Sequence, residues 1–204
     1  MTLDFTAVPI HSSNDQSIVL NNVVSRRWGV LHKIKPTEHF TEAYRLFMKS
    51  DGTFPNNPNH PLLIFRGTSN FTGKEDEGRR ALQKAGWTAP WKWIVFPYHH
   101  YHSSAWEILM CVRGSGLLQL GGEAGPEISV EVGDIILIPP GFVHKQLSSF
   151  GGFSILGSYP SVKGKNVKID EIRGPATQTQ LENILRCESP KNEPVTGILL
   201  SELY

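Results

Sequence analysis

At 204 residues, with 39% hydrophobic and 19% charged side chains, the chain can bury one substantial core but is short for two independent domains. Its 20 basic residues nearly balance 19 acidic ones for a net charge of +1, which excludes the long-range field that would draw nucleic acid or an anionic membrane surface. Small molecules are therefore the expected partners. The opening MTLDFTAVPIHSSND carries Asp4 and no basic-then-apolar leader, and no run approaches the roughly 18 to 20 apolar residues of a bilayer span, so a cytoplasmic protein is expected.

In chain order, Thr37 is placed to cap a helix over 38–49, with Phe40, Ala43, Tyr44 and Phe47 at helical spacing, Glu38 in the first turn and Lys49 in the last. DGTFPNNP at 51–58 is turn chemistry leading into a strand from Leu62 to Phe65. A second helix is expected from Thr72, with Glu75 three residues on as in a capping box, to Ala85 before Gly86; Ala81, Leu82 and Ala85 form its apolar side.

From Trp91 to about Pro160 the pattern changes to seven short β-rich runs: WIVFPYHHYH, WEILMCV, GLLQL, ISVEV, DIILIPP, VHKQL and FSILGSY. Turn residues recur every 8 to 12 positions or so, the signature of an all-β sandwich or barrel. Beyond it, a short helix over 177–186 and SPKNEPVTG read as a covering arm. The expected organisation is one domain, with residues 1–90 as an N-terminal extension, 91–160 as the barrel core and 161–204 as the arm. Cys111, in an apolar run, reads as a reduced thiol packed as a small hydrophobe, and no disulfide framework is implied.

The chemistry-bearing residues gather in two places. On a strand, His100 and His102 face the same side, about 6 to 7 Å apart along the chain, with Tyr98 before them on that face. Glu107 lies five positions after His102, the wrong parity for an unbroken strand, so the chain must bend within Ser103-Ser104-Ala105 for it to join them. His144 follows the Pro139-Pro140-Gly141 turn. Three neutral imidazoles and one carboxylate suit a first-row divalent metal. In six-coordinate geometry they leave two positions for substrate or oxygen. Tyr98, and Gln146 two residues past His144, are the candidates for hydrogen bonds to a ligand or substrate oxygen. His99 and Tyr101 fall on the opposite face. His11, His32, His39 and His60 carry no such signal. The tryptophans at 87, 91, 93 and 106, with Trp28 apart, read as core and edge packing rather than a stacking platform.

These residues carry a resemblance. His100-x-His102, four residues, Glu107, six residues and Gly114 is similar to the first motif of the cupins; Gly133, five residues, Pro139-x-Gly141, two residues and His144 is similar to the second. Ser148 stands where that pattern commonly has Asn. Further stretches, DGTFPNNP, YHHYHS at 98–103, LQLGGE at 118–123, GSYP at 157–160 and EPVTG, resemble single-domain cupins of the YjlB type. The resemblance implies a single jelly-roll β-barrel with a few peripheral helices, one divalent metal on His100, His102, Glu107 and His144, and a homodimer. Iron or manganese is favoured, with zinc or nickel as alternatives. The function it suggests is a small-molecule enzyme with oxygenase or isomerase/lyase chemistry; the alternative is a non-catalytic module that binds metal and metabolite.

Overall fold

The computed structural model describes residues 17–18, 29–161 and 169–204; His11 and Trp28 lie outside them. Among the described residues there are nine strands, β1(Ser17–Ile18), β2(Gly29–Ile34), β3(Phe40–Met48), β4(Leu62–Thr68), β5(Trp87–Trp93), β6(Glu107–Leu120), β7(Glu127–Glu131), β8(Ile135–Ile138) and β9(His144–Pro160), with helices α1(Glu75–Lys84) and α2(Gln178–Arg186). The sheet follows the order β1-β2-β3-β4-β8-β6-β9-β5, with β7 paired on β6, and every ladder is antiparallel. It is the jelly-roll expected from the sequence, all-β with peripheral helices.

Two hydrophobic clusters explain the strand sequences. In β4, Leu62 and Ile64 enter an inner cluster while Leu63 and Phe65 enter an outer one. β8 divides alike, with Ile136 and Ile138 inward and Ile135 and Leu137 outward, as does β6 with Leu109 and Cys111 against Ile108 and Met110. Strands covered on both faces read as continuous apolar runs instead of alternating ones. The outer cluster is closed by Leu82 of α1, by Trp106 and by Val195, Leu200 and Leu203 near the C-terminus. Residues 29–68 contribute three strands to the same sheet, β4 pairing directly with β8.

The expected helix over 38–49 is strand β3. Its Phe40 and Ala43 pack in the outer cluster and its Leu46 and Met48 in the inner one, so the apolar residues change face partway along and mimic a helical period. The second helix forms, but at Glu75–Lys84, behind Lys74. The Thr72 amide and hydroxyl both donate to Glu77 Oε2, and Ala85 is exposed at the helix end. Leu82 and Gly78 are the residues that α1 buries, and a Cβ on Gly78 would meet Leu156 at 2.8 Å. The third helix opens on Thr177, whose side chain and that of Gln180 form a capping box.

WEILMCV and GLLQL are one strand, β6, and VHKQL and FSILGSY are one strand, β9. Both bend where the sequence was read as a break. Their register shifts between Cys111 and Ser115, around Gly114 at φ +64°, where a Cβ would sit 2.3 Å from the Phe150 carbonyl oxygen. The bend lets one half of β6 pair with β8 and the other with β7. WIVFPYHHYH divides in the opposite sense: β5 ends at Trp93, and His100 and Tyr101 sit in an irregular segment held by isolated bridges to His144 and Ile172.

Candidate metal centre

The ring nitrogens of His100, His102 and His144 form a group whose ligand atoms all lie within 4.8 Å of one another, and all three rings are buried. The bridge His100↔His144, with backbone hydrogen bonds in both directions, brings the two parts of the sequence together. The two rings stand 4.2 Å apart between centroids. Glu107 is buried at the start of β6, with Oε2 3.3 Å from His102 Nε2 and 3.2 Å from His144 Nε2.

The chain does break between His102 and Glu107, and Asp170 from the C-terminal segment holds the break. Its carboxylate accepts from the Ser103 amide at 2.9 Å and from the Ser103 hydroxyl, while its backbone carbonyl accepts from His102 Nδ1. The other two rings make equivalent contacts, His100 Nδ1 to the Tyr98 carbonyl and His144 Nδ1 to the Phe142 carbonyl, each at 3.2 Å. A carbonyl only accepts, so each Nδ1 carries the proton and each Nε2 is left with a lone pair toward the group.

Tyr159 completes the site. Its hydroxyl donates to Glu107 Oε1 at 2.9 Å and lies 3.5 Å from His102 Nε2. Burial, reinforced by the adjacent carboxylate, pushes this phenol well above the ordinary tyrosine range, so it is a proton holder. Glu107 Oε2 has no hydrogen-bond donor although the group is fully buried. A buried carboxylate oxygen in that state calls for a cation. Three lone pairs fixed by carbonyl partners and one unsatisfied carboxylate oxygen fit a divalent metal ion.

The electrostatics agree at His100 and Glu107; at His102 the neighbouring carboxylate favours a proton on Nε2, which a bound cation would displace. Burial, with the neighbouring His144 adding to it, lowers His100 to about 3, so that ring is neutral at any ordinary pH. Burial opposes ionisation of Glu107 and protonation of His102, but their mutual attraction outweighs it, holding Glu107 well below the carboxylate range and raising His102. The carboxylate thus stays charged. Burial pushes the Cys111 thiol up to about 11, in keeping with a packed side chain and not a nucleophile.

The other candidates lie elsewhere. Tyr98 stacks on Phe96 at 5.0 Å and sets its ring edge against His100, but its hydroxyl bonds Arg173 and Glu171, facing away from the ligand group. The irregular backbone before His100 removes the strand parity on which an inward Tyr98 depended. Gln146 donates its backbone N–H to the Phe96 carbonyl and keeps a buried Oε1 without a partner. His99 is buried on the far side, with Nδ1 3.1 Å from Glu123, and Tyr101 donates to the Gly174 carbonyl. The tryptophans divide: Trp87 and Trp106 are outer-cluster residues, whereas Trp91 and Trp93 border the pocket that opens on the histidines. Sequence reasoning missed Tyr159 and Asp170. GSYP stood out only as a likeness, and Asp170 had no motif around it.

A jelly-roll with this two-part histidine arrangement is the hallmark of a cupin, and the Cupin domain family profile matches residues 88–146. Over 162 residues, 78% of this chain and 93% of the relative, the sequence is 36% identical to the uncharacterized protein YjlB of Bacillus subtilis (strain 168). The chain belongs to the cupins, among the single-domain proteins of the YjlB type. Solved structures give weaker likenesses. An acireductone dioxygenase from Bacillus anthracis with cadmium in its active centre is 17% identical at TM-score 0.33, covering 44% of this chain and 60% of its own. YcfD, a ribosomal oxygenase from Escherichia coli with cobalt and 2-oxoglutarate, is 11% identical at TM-score 0.34, covering 58% and 37%. Among the described residues no helix is long and apolar enough to cross a membrane.

Proposed function

We propose that this cupin is a metal-dependent enzyme acting on a small oxygen-bearing molecule, by oxygenase or isomerase/lyase chemistry, with His100, His102, Glu107 and His144 holding one divalent ion. The observation that carries the reading is the set of three Nε2 lone pairs and one unsatisfied carboxylate oxygen converging in a buried site beside a pocket. A mixed nitrogen and oxygen donor set favours iron or manganese, with zinc or nickel as alternatives. A bound ion supplies Lewis-acid polarisation of a substrate oxygen and, as iron or manganese, a redox centre.

The chain's own residues supply the rest. Three backbone carbonyls, those of Tyr98, Phe142 and Asp170, hold the imidazole tautomers. Tyr159 keeps a proton on its hydroxyl and aims it at Glu107 Oε1, which orients the carboxylate. Its hydroxyl lies against the ligand group while that of Tyr98 bonds Arg173, so Tyr159, and not Tyr98, is placed to hydrogen-bond a substrate oxygen. Trp91, Val95 and Leu109 exclude water beside the site.

The test is metal content of the purified protein, then oxygen uptake against phenols, diketones, thiols and sugar acids. About one metal ion per chain is expected, lost in both His100→Ala and His144→Ala. Full occupancy in both variants would overturn the site. Iron with substrate-dependent oxygen consumption selects the oxygenase form; a redox-inert metal without uptake selects isomerase/lyase chemistry, and metal with ligand binding but no turnover selects the binding module.

A further inference from the structure

Resting on that reading, we infer that the site takes a substrate with an oxygen-donor head and an apolar, ring-sized body, and not a polyhydroxylated or multiply charged molecule. The ladder registers carry the inference. Across β6, β9 and β5, inward residues fall in rows: Glu107 with Tyr159, then Leu109–Gly157–Trp91, then Cys111–Ile155–Trp93. The first row is polar and touches the ligand group; the next two are apolar. Glu107, Tyr159, Leu109, Trp91 and Trp93 border one pocket of about 270 Å³ together with the three histidines. Polar chemistry is thus confined to one end, and a ligand anchored there must lay its remainder along an apolar wall.

Gly157 makes that wall possible. A Cβ at this position would meet the Trp91 indole at 2.1 Å, so the ring lies directly against bare backbone. The indole presents its surface to the pocket in the space a side chain would take. Among the described residues that border the pocket there is no lysine or arginine, and the polar ones are the four ligands and Tyr159. A second carboxylate or a phosphate on the ligand would lose its hydration there without a counter-charge.

The test holds the metal-binding head constant and varies the body. Cobalt(II)-loaded full-length protein is titrated with acetohydroxamate, benzohydroxamate and succinate monohydroxamate, followed by cobalt absorption and tryptophan fluorescence. Benzohydroxamate is expected to bind about tenfold tighter than acetohydroxamate, and succinate monohydroxamate no tighter than acetohydroxamate. In Trp91→Ala most of the phenyl gain disappears while cobalt affinity is unchanged. Trp93→Ala, at an exposed edge position, loses part of the gain without risk to the core. A phenyl gain below about threefold, or tighter binding of the succinate compound than of benzohydroxamate, overturns the inference. Protein that takes up no cobalt overturns the metal reading instead. The phenyl gain is then read from tryptophan quenching in metal-free protein, by the same threshold.

Discussion

The Tyr159 hydroxyl donates to Glu107 Oε1 at 2.9 Å, a contact between residues 52 positions apart that are neighbours on β6 and β9. It fixes one carboxylate oxygen and leaves the other, Oε2, for a cation. Tyr159→Phe removes the donor and keeps the ring, so the fold should persist and metal affinity should fall about tenfold, as for other residues that orient a metal ligand. Competition with a chelating dye measures it, and an unchanged affinity would count against the role.

Asp170 acts through His102. Its carbonyl fixes the ring tautomer, and its carboxylate holds the Ser103 turn that lets Glu107 join the histidines. Asp170→Ala should weaken metal binding by about tenfold, with Asp170→Asn intermediate because an amide oxygen still accepts from the Ser103 amide. Affinities equal to the parent's in both variants would mean that the carboxylate contributes nothing to the turn.

Asn56 latches the 51–58 turn onto the strand ends that carry the site. Its side chain donates to the Lys49 and Gly121 carbonyls and accepts from the Val143 amide, one residue before His144. Asn56 is buried, at φ +49°, a conformation asparagine tolerates better than most residues. Asn56→Ala strands three backbone groups and should destabilise the protein by about 2 to 4 kcal/mol in urea melts. A loss below about 0.5 kcal/mol would show that water replaces these bonds.

Burial raises Asp134 to about 6, although Arg66 lies 3.5 Å away and pulls it down. A carboxyl raised by folding favours the protonated state: the stabilisation is complete below the unfolded value of 3.8 and is lost as pH rises through about 6. Asp134→Asn stays neutral and keeps an acceptor for the Glu131 amide that Asp134 Oδ2 now serves. Its stability relative to the parent should therefore rise by on the order of 1 to 2 kcal/mol between about pH 4 and about pH 7. A difference that does not change with pH would place the carboxyl's ionisation outside this window.

The residues that gather at the candidate site and the jelly-roll class were legible because both leave local signals: histidines at fixed spacing, a Pro-Gly turn before His144, and short apolar runs between turn residues. The need for a break between His102 and Glu107 was legible too, from parity alone. β3 was not. A strand whose apolar residues pass from one cluster to the other imitates a helix, and only its pairing with β2 and β4 shows otherwise. The joins that make β6 and β9 single long strands were hidden for a related reason, since Gly114, Gly151 and Gly152 bend strands here and end them elsewhere.

By itself the sequence determined the chemical types and the order of what could bind a metal, since side-chain chemistry and spacing belong to the chain. Which tyrosine serves the site, what holds the His102 turn and what lines the pocket were decided by tertiary structure. Tyr98 and Tyr159 are equivalent as residues. A bent ladder puts one against Glu107, and an irregular backbone turns the other's hydroxyl to Arg173. Asp170 likewise reaches Ser103 from 67 positions away through the path of the C-terminal segment. Such contacts depend on strand register and chain path, which are set by the packing of the whole sheet and leave no trace at either residue.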